Sequence, residues 1–218
     1  MNDYRDDFGL YDGVNPMIVS TNTPFALLFA QTRETLDVET YSSFIHNAIS
    51  RFRASRFYTA YKANLIEMGM NRCQIHGNIT NEMATVEMHH NMLTIYEIAI
   101  IITEHFLNKY GSVTTFDVVK QLKEEHAKNH VQLVMLSLTP HQVFHANKDF
   151  FIHPKMCFGN WKEFLYEYMN DLTMDIAYKL LYYFKKAIDS DETYDNGLLD
   201  LMDKVRSWIE VNEIQNRR

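Results

Sequence analysis

Hydrophobic and polar positions alternate along this chain with two different periods, and the change of period divides it. Tyr41, Phe44, Ile45, Ala48, Ile49 and Phe52 recur at three and four behind Asp37-Val38-Glu39-Thr40, which predicts a capped helix. A second helix is predicted from about Ser55 to Met68, stopped by Gly69. The period then shortens. Ala84-Thr85-Val86-Glu87-Met88-His89-His90 sets Val86 and Met88 against polar neighbours, and Val131, Leu133, Val134 and Leu136 form a β-prone run broken at Thr139-Pro140. Two strands, near 84–90 and 131–137, are expected to pair antiparallel, with a helix starting near Pro140.

Between the strands the helical period returns. Thr94-x-x-Glu97 is a capping box ahead of Ile95, Ile98, Ala99, Ile102, Phe106 and Leu107, which run to Gly111. Thr114 or Thr115 caps a second helix with Phe116, Val119 and Leu122 on its apolar side. This predicts a helical hairpin inserted over 92–129, its two helices packed on each other. Ile100 and Ile101 widen the first stripe, so that helix is buried on most sides or meets a partner. His105, His126 and His130 fall in the hairpin and read as surface or packing histidines. Downstream, helices are expected over Trp161–Met169, Thr173–Ile188 and Leu198–Val211, with a charged linker from Asp189 to Asn196. Phe150-Phe151-Ile152 suits a short strand or packing segment. Residues 1–23 show no sustained period and read as an arm with a short strand at Met17-Ile18-Val19, followed by a short apolar helix from Pro24 to Gln31.

The pattern is therefore α+β and mostly helical. It divides into an N-terminal arm and helices (1–55), a central unit (56–150) and a C-terminal helical region (151–218). Composition adds bounds. The chain has 218 residues, 7 Gly and 4 Pro, against a turn-rich all-β fold. Two cysteines, Cys73 and Cys157, make no disulfide framework, so a reducing, cytoplasmic setting is expected. The acidic opening Met1–Asp7 lacks the apolar core of a signal peptide, and Glu97 and Glu104 bracket Ile98–Ile102 too closely for a membrane span.

The net charge of −7 argues against a protein that binds polyanions with its whole surface. The charge is uneven, however. Arg51, Arg53, Arg56, Lys62 and Arg72 face the single acid Glu67 over residues 51–72, and are the candidates for nucleic-acid backbone contact. The negative charge gathers at Asp189, Asp191, Glu192, Asp195, Asp200 and Asp203.

Candidate chemistry lies where strands meet helix. His89-His90 ends the first strand, and His141-x-x-x-His145 follows the second, on one helical face. Strand, strand and helix could bring these four imidazoles together, and neutral imidazole is the commonest metal ligand. These segments resemble the HNH (ββα-metal) endonucleases, most closely His-His variants such as the colicin nuclease domains. In that pattern Glu-apolar-His-His ends the first strand, and an Asn stands nine residues before the first His of His-x-x-x-His. Gln132 holds the Asn position here, an amide for an amide. Tyr61 to Gly77 reads like the helix and knuckle that precede the first strand in the family. The resemblance spans about residues 56–150 and implies a ββα-metal core carrying the inserted hairpin.

Its functional implication is a phage-borne or mobile-element endonuclease hydrolysing DNA, with RNA the other candidate. His89, His141 and His145 would hold one divalent ion (Mg2+, Mn2+, Ni2+ or Zn2+). His90 would be the general base, Gln132 would orient its ring, and Glu87 would support a ligand from behind. Cys73-x-x-His76 invites a structural zinc. The family's second ligand pair falls on Ser137 and Pro140, so none is expected. The alternative is a catalytically weak or inactive scaffold that binds a protein partner, or a second copy, through the inserted helices and acidic C-terminal region.

Overall fold

The computed structural model describes residues 30–140, 142, 151–190 and 196–216. The expected strand at 17–19 and nearly all of the expected helix at 24–31 lie outside these residues, as do His141 and His145. Gln31 is not helical; it forms an antiparallel bridge with Val113.

Helix α1 (Val38–Ala54) starts where Asp37 Oδ1 accepts the Glu39 and Thr40 amides, satisfying two donors that the first turn leaves without helical partners. It ends at Ser55, which in turn caps α2 (Arg56–Glu67) by accepting the Tyr58 amide. Gly69 follows at φ +91°, the left-handed conformation that glycine adopts without Cβ strain.

Strands β1 (Val86–His90) and β2 (Leu133–Ser137) pair antiparallel, Val86 opposite Ser137 and His90 opposite Leu133, as a two-stranded ribbon. The inserted hairpin does not extend it. Helix α3 (Ile95–Tyr110) opens on the full Thr94/Glu97 capping box and closes on Gly111 at φ +73°. Helix α4 (Thr115–Ala127) opens on a second box, Thr114/Asp117. The two pack on each other and on α1. Beyond lie a 3-10 turn (Pro154–Met156), α5 (Trp161–Tyr168), α6 (Met174–Asp189) and α7 (Asn196–Asn216), with α7 packed on α6.

The ribbon has two apolar faces with unequal cover. One core runs from α1 through the hairpin to α7 and includes Phe52, Ile102, Leu122, Leu133, Phe184 and Leu201. A small cluster of Val134, Leu136 and Ile152 covers the other side of β2, with Ile75 and Cys157 against it. Successive strand residues point to opposite faces. His90 and Met88 therefore share a face with Leu133 and Met135, on the side of the large core that Leu133 and Met88 join, whereas His89 and Glu87 share the small side with Val134 and Leu136. Residues from all three sequence segments contribute to the large core, so α5–α7 are fastened to the ribbon and not hung beside it.

Candidate functional site: a buried histidine pair at the end of the ribbon

His90 ends β1 and points into the large core, where its Nε2 lies 2.9 Å from His126 Nε2. His126 sits in the last turn of α4, and its Nδ1 is 2.7 Å from the Leu122 carbonyl. A carbonyl only accepts, so His126 carries its proton on Nδ1 and presents a bare Nε2. His90 must then donate from Nε2. The pair is one directed relay, His90 N–H to His126 N, His126 N–H to Leu122 O.

Aromatic rings enclose it. Phe52 packs 4.7 Å from the His126 ring centroid, and Tyr61 meets it edge-on at 5.4 Å. Burial dominates the protonation of both. Desolvation, then His126, His89 and Arg53, hold His90 well below its ordinary value. Desolvation pushes His126 down to about 4, against smaller opposing effects of the Leu122 carbonyl and Glu125. Both imidazoles are neutral at pH 7.

The next residue, Asn91, builds a second polar cluster. Its Nδ2 lies 2.8 Å from the Tyr183 hydroxyl and 3.1 Å from each of Gln132 Oε1, the Ile152 carbonyl and Cys157 Sγ. Tyr183 donates onward to the Ile152 carbonyl at 3.0 Å. Burial pushes the Cys157 thiol up to about 12, and burial likewise raises the Tyr183 phenol, so both stay protonated. The cluster stitches the end of β1, the residue before β2, the 151–157 segment and α6 together.

These contacts place the expected site residues. Gln132 precedes β2 and is engaged with Asn91 and Tyr183; the group that orients the His90 ring is His126. Gln132 Nε2 finds no acceptor among the described residues. His89 is buried on the opposite face from His90, beside Val134, and Glu87 is half-buried opposite Leu136. The other two expected ligands, His141 and His145, lie outside the described residues. Arg51, Arg53, Arg56 and Lys62 lie exposed around the α1–α2 corner, and Arg72 is exposed in the knuckle, bridged to Thr80. Cys73 is buried, its Sγ accepting the His76 amide at 3.4 Å.

A different group clusters metal-type ligands: Glu125, His130 and Glu167 bring one donor atom each within 4.8 Å of one another. The Glu125 carboxylate is already saturated, by Gln121 at 2.8 Å, His130 at 2.9 Å, Tyr168 at 3.2 Å and the Lys128 ammonium at 3.3 Å. Lys128 occupies the cation's role there.

His126, Asn91 and Tyr183 are the site residues that sequence reasoning missed. For His126 a signal existed. It continues the apolar stripe of α4 through Val119 and Leu122, where a polar residue needs a buried partner. None of the described helices is long and apolar enough to cross a membrane. No curated protein and no solved structure matches the chain. The profile of the bacteriophage G278-like virion protein family matches residues 16–215, nearly the whole length, and the chain belongs to that family.

Proposed function

We propose that this chain is a non-catalytic component of the phage particle, a helical scaffold pinned by a two-stranded ribbon, which works through its surfaces. The observation that carries the reading is the state of His90. Its Nε2 proton is committed to His126 inside an aromatic core, and His89 leaves the strand on the other face. A general base must reach the water it activates, within about 2.6–3.2 Å. A ring enclosed in the core must first turn out of it. Membership of a virion protein family fits a part made for contacts.

One observation favours a second reading, the metal-dependent HNH-like endonuclease. The antiparallel ribbon leads directly into a helical turn at 138–140, the order strand, strand, helix that the ββα unit requires, just ahead of His141 and His145. In that reading His90 swings to solvent to take a proton from water. His89, His141 and His145 would hold a divalent ion, which would supply charge stabilisation at a phosphoryl oxygen, with Glu87 supporting a ligand.

Incubating the full chain with supercoiled plasmid and Mg2+, Mn2+, Ni2+ or Zn2+ separates the two. We expect no nicking above the metal-only control and no metal binding by calorimetric titration at His89. Metal-dependent nicking by the wild type that disappears in a folded His90→Ala variant would overturn the scaffold reading in favour of the endonuclease.

A further inference from the structure

Several cations elsewhere on the surface are ion-paired. Arg33 meets Glu104, Lys179 meets Glu97, Lys204 meets Asp200 and Arg206 meets Asp203, all at 2.6–2.9 Å. The α1–α2 corner departs from this. Arg51, Arg53 and Lys62 are exposed and form no ion pair among the described residues, and Arg56 is exposed beside them. From Arg51 to Ile66 the chain has no acid at all. In a protein of net charge −7, this is a local reversal of the field.

Aromatic faces hold part of the corner in place. The Arg51 guanidinium lies 5.8 Å over the Phe116 ring and the Lys62 ammonium 5.1 Å over Tyr58. A cation seated on a ring keeps its remaining donors outward and loses less freedom when it meets an anion. Small or short residues, Ala54, Thr59 and Ala60, are exposed along the chain between the cations and leave room for close approach.

We infer that the α1–α2 corner is a docking surface for the phosphodiester backbone of duplex DNA. The proposal deepens the particle-component reading by naming a partner, and it does not depend on cleavage. Charge selects a polyanion, and the rings select the duplex. Single strands are bound largely by stacking bases on exposed aromatics. Here Tyr61 is buried, and Phe57 and Tyr58 are half-buried, Tyr58 beneath the Lys62 ammonium.

The test is fluorescence anisotropy of a labelled mixed-sequence duplex with the full chain in EDTA, so that metal-dependent cleavage cannot contribute. Three phosphate contacts, from Arg51, Arg53 and Lys62, predict a slope of log K against log salt of about −2.7, hence about 40-fold weaker binding at 200 mM than at 50 mM salt. Arg51→Gln/Arg53→Gln/Lys62→Gln, checked as folded by circular dichroism, should bring the slope close to zero. An unchanged slope in that variant, absence of wild-type binding at 50 mM salt, or tighter binding of polyglutamate than of the duplex would each overturn the proposal. The last would assign the corner to an acidic protein. Plasmid nicking, by contrast, bears on the scaffold reading and leaves this surface standing.

Discussion

The buried histidine pair should make this protein acid-sensitive in a defined window. From about pH 8 upward both imidazoles are neutral whether the chain is folded or not, so they contribute no pH dependence there. Below pH 6.5 the unfolded chain takes up protons that the folded core refuses, and stability falls as pH falls. The loss continues until the folded pair itself protonates, near pH 4 for His126. The gap from 6.5 to about 4 corresponds to about 3 kcal/mol for His126 alone, at 1.36 kcal/mol per pH unit. His90 adds to the slope in the same direction, so the pair approaches about 2.7 kcal/mol per pH unit where both unfolded rings are protonated and both folded rings are not. Native proteins hold only about 5–15 kcal/mol in total. The groups facing the pair do not cancel the effect. Arg53 and His89 oppose a proton on His90, and Glu125, which favours one on His126, is outweighed by burial. Urea titrations between pH 8 and pH 4 measure it. Carboxylates elsewhere titrate in the same range, so the informative quantity is the difference from His90→Leu/His126→Leu. That variant removes both polar partners together and should lie within about 1 kcal/mol of wild type at pH 8, whereas His126→Leu alone strands the His90 N–H and should cost about 1–3 kcal/mol. The double variant should be the more stable protein at pH 4.5. Parallel stability curves for wild type and double variant would refute the buried, neutral pair.

Two further perturbations follow from individual contacts. Gly159 sits at φ +103°, and a Cβ there would come within 2.0 Å of the Val131 carbonyl, a backbone atom that cannot step aside. Gly159→Ala should cost at least about 2 kcal/mol, read by calorimetry as a melting point lower by about 4–8 °C. Glu125→Ala removes the buried acceptor of Gln121, Lys128, His130 and Tyr168, where α4 meets α5. A loss of about 3 kcal/mol in urea titration is expected, and a change below 0.5 kcal/mol would show that these donors are served equally well by water.

The local elements were legible in the sequence because local chemistry makes them. Asp37, Ser55, Thr94 and Thr114 cap helices because a short side-chain oxygen satisfies amides a turn away, a contact that depends on no distant residue. Gly69 and Gly111 close helices for an equally local reason. The antiparallel pairing of β1 and β2 around an inserted hairpin was likewise visible, because strand period, helix period and breakers all agree there. What the period could not reveal was the surroundings of each strand face. It sends His89 and His90 to opposite sides, yet whether a side is a cleft or a core depends on what packs against it. The hairpin folds back so that His126, 36 residues beyond His90, reaches its ring nitrogen, and α6 brings Tyr183 to Asn91 from 92 residues away. Tertiary packing thereby turned a pattern that reads as a solvent-facing His-His site into a buried relay. Desolvation by Phe52, Tyr61 and their neighbours, a property of no single segment, keeps that relay neutral.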